Sequence, residues 1–168
     1  MDQPAPTPPP TPALELTVVG YAHPDATALI ERVQAEYVVR YGSPDESPVD
    51  PVLFDPPEGL FLVGYEDGVP VATGAWRRSP VRVLGAASAV EVKRMYVVPE
   101  ARGRGHARAV LAALEASARE AGHDLVVLET GTRQPEAIAL YTSEGYVPTP
   151  GFGYYKDAPL SRCFAKRV

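Results

Sequence analysis

Val97-Val98-Pro99-Glu100-Ala101-Arg102-Gly103-Arg104-Gly105-His106-Ala107 is the stretch whose reading decides the fold. Upstream, Val90 to Val98 is an apolar run of β type, and the strand is predicted over Ser88 to Val98. Pro99 stops it. Downstream, Val110, Leu111, Leu114, Ala118 and Ala121 recur as one helical stripe. A helix is therefore predicted over roughly Gly105 to Ala121, ended by Gly122. Two glycines and two arginines at a strand-to-helix junction form an anion site in principle. The first amides of a helix lack partners, its dipole adds partial positive charge, and glycine lets a bulky anion approach the backbone.

The rest of the chain fits one mixed α/β domain around this junction. Residues 1–12 are a Pro-rich lead, predicted to be disordered, and 13–168 are the predicted domain. Leu14 to Val19 alternates like a strand. Pro24 opens a helix carrying Ala26, Leu29, Ile30, Val33, Tyr37 and Tyr41, and Gly42 stops it. Residues 43–58, with five prolines and five acids, read as a loop with one helical turn near Val52 to Phe54. Gly59 to Glu66 and Val69 to Arg77 flank Asp67-Gly68, a hairpin signal. Leu125-Val126-Val127-Leu128 suits a strand covered on both faces. Pro135 to Glu144 reads as a helix, and Tyr146-Val147 with Leu160 to Lys166 as a terminal strand pair. The predicted order is β-α-(α)-β-β-β-α-β-α-β-β.

Composition narrows the function classes. A net charge of −5 argues against nucleic acid as partner. No apolar stretch spans a bilayer, and the N-terminus lacks a secretory pattern, so the expectation is a cytoplasmic protein without a membrane partner. Cys163 is the single cysteine, and His23, His106 and His123 are scattered, so neither a disulfide nor a metal site is expected.

Three readings of the Gly-rich turn compete. A dinucleotide fingerprint needs a third glycine and a place after the first strand; here the glycine is missing and the turn follows about the fourth strand. A P-loop needs Gly-Lys-Ser/Thr, which is absent. The third is a cradle for the pyrophosphate of coenzyme A. Arg102-x-x-Gly105-x-Ala107 resembles the Q/R-x-x-G-x-G/A motif of the GCN5-related N-acetyltransferases (GNAT). Glu91-Val-Lys-Arg-Met-Tyr-Val-Val-Pro99 resembles the strand preceding that motif. Ala137-Ile-Ala-Leu-Tyr141-Thr-Ser-Glu-Gly-Tyr146 resembles the family's A-x-x-L-Y-x-x-x-G-F/Y segment. One departure is Gln134, where the family often has asparagine.

The resemblance implies a single-domain mixed sheet of about six to seven strands, helices on both faces, and two splayed central parallel strands, Ser88–Val98 and Asp124–Glu129. It implies acetyl-CoA as acyl donor. Strand groups of Met95, Tyr96 and Val97 would bond the pantetheine arm, an N–H near Met95 or Tyr96 holding the oxyanion. Arg102, Gly103, Arg104, Gly105, His106 and Ala107 would meet the pyrophosphate, and Gln134 the pantetheine. Arg102 or Arg104 could equally be solvated, and His106 reads as an exposed helix residue.

Tyr141 is the candidate acid for the thiolate, unless it is simply a core tyrosine. Glu91 is the candidate base or water-orienting residue, unless it is a solvated strand glutamate. Strict alternation puts Glu91, Lys93, Met95 and Val97 on one face; a bulge would bring Arg94 or Tyr96 there instead. Tyr37, Arg40 and Tyr41 would line the acceptor pocket, with Arg40 and Arg77 free to pair with an acceptor carboxylate. Surface salt bridges to acids of residues 45–58 are the alternative for both arginines. Phe152, Tyr154 and Tyr155 either wall the same pocket or pack. Cys163 reads as a buried structural thiol.

The expected reaction is direct N-acetylation of a small primary amine or amino-acid-like acceptor in a ternary complex, by a monomer or homodimer. The rivals are a non-catalytic acyl-CoA sensor, a protein N-terminal or lysine acetyltransferase, and an ATP-binding protein.

Overall fold

The computed structural model describes residues 7–168. Half of the Pro-rich lead, residues 1–6, lies outside the described residues, and residues 7–14 carry no helix or strand. The chain then forms β1 (Glu15–Val18), α1 (Pro24–Tyr41), a 3-10 turn (Pro51–Phe54), β2 (Gly59–Glu66), β3 (Val69–Ser79) and β4 (Ala89–Val97). A second 3-10 turn (Pro99–Ala101), α2 (His106–Glu120), β5 (Leu125–Gly131), α3 (Pro135–Ser143), β6 (Val147–Thr149) and β7 (Ser161–Arg167) follow. Among the described residues, the seven strands join one sheet in the order β1-β2-β3-β4-β5-β7-β6. Within it β4 runs parallel to β5. The terminal strands do pair, but β7 inserts between β5 and β6 and so covers the far edge of β5.

Local chemistry accounts for the element ends. Pro24 occupies the first turn of α1, and His23 Nδ1 accepts a hydrogen bond from the Asp25 amide at 3.1 Å. Gly42, at φ 83°, closes the same helix with its N–H on the Val38 carbonyl. Asp67 (φ 48°) and Gly68 (φ 79°) both adopt the left-handed conformation that the primed hairpin turn requires.

The core lies on both faces of the central strands. The α2 stripe of Val110, Leu111, Leu114 and Ala118 is buried against one face, while Ala121 sits exposed at the helix cap. Trp76 turns to this side and donates from its indole N–H to Ser117 Oγ at 2.6 Å. α1 covers the other face with Ala26, Leu29 and Val33. Gly74 is where β3 and α2 come closest. A Cβ there would overlap Val110 and fall 2.9 Å from both Leu114 Cδ1 and Met95 Sδ. Gly74→Ala is accordingly expected to cost about 1–3 kcal/mol of stability through overpacking. Urea unfolding measures it, and an unchanged midpoint would contradict this packing.

Two features of β4 shape the site. First, Thr73 of β3 lies opposite Tyr96 and Ala75 opposite Lys93, so β4 carries one extra residue in between. Arg94 takes up that bulge at φ 58°. Thr73 Oγ1 donates to the Arg94 carbonyl at 2.7 Å, and Asp45 accepts from the Arg94 guanidinium at 2.9 Å. The bulge overturns strict alternation: Arg94 joins Glu91 and Lys93 on one face, and Met95 turns toward α2. Second, β4 and β5 pair only from Ala89–Val92 to Leu125–Leu128. Beyond that point β4 stays with β3 and β5 stays with β7, so the two parallel strands splay apart.

Candidate active site

The splay is flanked by two cavities of about 320 and 300 Å³. Gln134, at the start of α3, lines both of them. Its side-chain amide donates to the Tyr41 hydroxyl at 3.2 Å. Tyr41 in turn packs so closely on Gly131 that a Cβ there would overlap its hydroxyl. The residue that departs from the family pattern therefore stands at the junction of the two cavities.

The smaller cavity lies on the Gly-rich side. Met95, Tyr96 and Val97 line it from β4, and Tyr141 lines it from α3. Gly103 and Gly105, at φ 78° and 80°, form its far end together with Arg102, His106 and Ala107. Gly105 is the N-cap of α2 and supplies no side-chain cap, so the first-turn amides are left for another partner. With the β5-facing edge of β4 unpaired beyond Val92, the residues present fit an extended amide-bearing chain that ends in phosphates.

The charged side chains here differ from expectation. Arg104 does not line this cavity; its guanidinium turns to Glu66 at 2.6 Å. His106 is not an exposed helix residue: its ring is buried and paired with the same carboxylate, because Glu66 ends the neighbouring strand β2. Arg102 donates to the Val97 carbonyl at 2.9 Å and to Glu36 at 2.9 Å. Arg40 belongs to this cavity and not to the opposite one. It bonds Glu36, Glu136 and the Arg133 carbonyl instead of any acid in residues 45–58. Arg108, which sequence reasoning passed over, lines the same end and pairs with Glu144.

Tyr141 is 6% exposed, and among the described residues its hydroxyl has no hydrogen-bond partner. Burial raises its pKa well above the usual tyrosine range, so the phenol keeps its proton.

The larger cavity collects titratable groups. Tyr37 and Tyr41 line it as expected, and burial pushes the Tyr37 phenol up to about 12. Glu91 lines it too, with its carboxylate 3.0 Å from Arg77 and 3.7 Å from Lys93. Arg77 is thereby committed to Glu91 across the β3–β4 pair and does not line the cavity, so it is not free for an acceptor carboxylate. Lys93, Arg94 and Asp45 complete this wall. Asp45, held by Ser47 and by the two cations, has its pKa lowered despite the opposing effect of burial.

Glu129, the first residue of β5 beyond its pairing with β4, is the residue that sequence reasoning missed. Burial pushes its carboxyl up to about 7, with Lys93 opposing and Asp45 and Glu91 adding to the shift. A carboxylate closing an otherwise apolar strand was the available signal. Of the C-terminal aromatics, Tyr155 walls the cavity, Phe152 packs on the small core of Ala89, Leu125, Val127 and Ala165, and Tyr154 is exposed. Cys163 is buried, as expected, and burial raises its thiol pKa.

The site is thus a mixed sheet split at its parallel pair, with a Gly-rich turn on one side of the split and ionisable groups on the other. A model of the Acetyltransferase (GNAT) family matches residues 27–146, and the chain belongs to that family. It is 39% identical over 105 residues to an IAA acetyltransferase from Azospirillum brasilense, the match covering 62% of this chain. That match spans 65% of the relative's length. A structure from Klebsiella pneumoniae, provisionally assigned as an acyl-CoA N-acyltransferase, superimposes with a TM-score of 0.73 at 30% identity, covering 92% of this chain and 97% of the other. A Salmonella typhimurium acetyltransferase solved with its cofactor acetyl-CoA shares the fold, with a TM-score of 0.67 at 21% identity and coverage of 92% and 94%.

Proposed function

We propose that the protein is an acetyl-CoA-dependent N-acetyltransferase acting on a small primary amine by direct transfer. The observation that carries this is the splay itself. It joins an uncapped Gly-rich turn on one side to a cavity holding a near-neutral carboxyl on the other. The name of the Azospirillum relative supports the same reaction class.

The roles follow from position and charge. Amides from Gly103 to Ala107 and the Arg102 guanidinium receive the donor's phosphates, Arg102 exchanging its bond to Glu36 for one to the ligand. The edge of Met95 to Val97 left unpaired by β5 holds the pantetheine amides, through groups other than the Val97 carbonyl that Arg102 already occupies, and Gln134 borders the thioester. The amine enters through the larger cavity. Its nitrogen forms the new bond to the acyl carbon as the carbon–sulfur bond breaks. Glu129 takes the amine proton and releases it to solvent, while Tyr141 gives its own to the departing sulfur and is reprotonated from solvent, so that amide and CoA thiol, with a reference pKa of about 8.5, leave neutral. Glu91, bound to Arg77, keeps Lys93 oriented.

The acceptor cavity favours a small molecule over a peptide. Tyr155 accepts a hydrogen bond from the Glu46 amide at 2.7 Å, latching the C-terminal loop to residues 45–47. Asp45 and Ser47 tie that segment down to Arg94 and Lys93 in turn. Both loops line the cavity, and their mutual ties restrict the room for an extended peptide.

Thiol release from acetyl-CoA across a panel of small amines and short peptides, with thermal shift in CoA and in ATP, tests the reading. Amine-dependent release and stabilisation by CoA are expected. Stabilisation by ATP but not CoA would overturn it; CoA binding without release on any amine would favour a sensor.

A further inference from the structure

We infer that Glu66 is a positioning residue for the phosphate-binding turn, acting as a clamp on residues 104 and 106. The inference rests on the donor-binding reading above. Glu66 is the last residue of β2 and is only 9% exposed. Its two oxygens take different partners: Oε2 lies 2.6 Å from Arg104 Nη1, and Oε1 bonds His106 Nε2. These partners stand on either side of Gly105. Hydrogen bonds from His106 and then Arg104 hold the Glu66 carboxyl below the usual carboxylate range.

The turn needs such a clamp. Gly103 and Gly105 both lie in the left-handed region, and nothing within 4 Å would meet a Cβ at either position. Two glycines in three residues leave many other conformations open, and no side chain caps α2 to select among them. The neighbouring side chains supply the selection. With Arg104 and His106 both drawn to the end of the β2–β3 hairpin, the turn is pinned to the sheet, and its amides stay directed at the cavity. Arg104, despite its place in the motif, serves the cradle from behind and is not itself a phosphate contact. Preorganisation of this kind lowers the ordering cost of anion binding.

The clamp acts only on the part of the donor that reaches the turn. Its effect therefore depends on the donor's pyrophosphate. Initial rates with acetyl-CoA and with acetylpantetheine, which ends before the pyrophosphate, separate this role from general support of the fold. For Glu66→Ala, the KM for acetyl-CoA is expected to rise roughly tenfold or more, the weight of one lost charge-assisted hydrogen bond. kcat should be kept, and kcat/KM for acetylpantetheine should stay at the wild-type value. Glu66→Gln, which retains an acceptor oxygen for one partner, should fall between. An unchanged KM for acetyl-CoA, or equal losses with both donors, would overturn the clamp while leaving the acetyltransferase reading intact. Wild-type protein that neither binds nor consumes acetyl-CoA would remove that reading and the clamp with it.

Discussion

Tyr141→Phe is expected to lower kcat by about 100-fold, at the lower end of what a positioned general acid contributes, with the KM for acetyl-CoA nearly unchanged. The substitution removes one hydroxyl from a residue that is 6% exposed and keeps the ring. The ring packs edge-on against Tyr146 at 5.7 Å, and phenylalanine preserves that contact, so stability should hold. What goes is a proton kept in place by burial. The hydroxyl has no protein partner among the described residues, so no network is orphaned by its loss. Steady-state rates at saturating acceptor measure the effect. Wild-type turnover in the variant would return Tyr141 to the core.

Glu129→Gln is expected to cost a similar factor of about 100 in kcat/KM and to change the shape of the pH profile. A base must be ionised to accept a proton. Wild-type kcat/KM should therefore rise with pH through an apparent pKa near 7. That limb should be missing in the variant.

A stability measurement checks the same carboxyl without turnover. Its pKa is raised from 4.5 to about 7 on folding. Between those values the folded protein keeps a proton that the unfolded chain releases, so stability falls as pH rises through the window. Glutamine cannot ionise and escapes that loss. The variant's melting temperature, relative to wild type, should thus be more favourable at pH 8 than at pH 5. An equal difference at both pH values would mean that Glu129 is not perturbed.

What could be read in the sequence was chemistry that is local along the chain. Gly103 and Gly105 next to Arg102 declare an anion turn by themselves, and Asp67-Gly68 declares its hairpin. Tyr141 could be picked out because the segment around it resembles a family motif. The remainder depended on partners far away in the chain. The Arg94 bulge is held by Thr73 and Asp45, neither adjacent to it, and the bulge decides which β4 residues face the larger cavity. Arg40 and Arg77 were expected at the acceptor, but Glu136 and Glu91 hold them elsewhere. His106 looked like a surface residue until folding brought Glu66 beside it. In the sequence Glu129 is only the end of an apolar strand; its near-neutral carboxyl arises from burial beside Glu91 and Asp45.

The most direct test of acyl transfer across the splay is the initial rate of CoA release measured against acetyl-CoA and acceptor together. Attack on the donor by an amine bound opposite it requires both ligands at once, and predicts intersecting lines in double-reciprocal plots. Parallel lines with a recoverable acetylated enzyme, on Cys163 or elsewhere, would contradict direct transfer and the roles given to Glu129 and Tyr141.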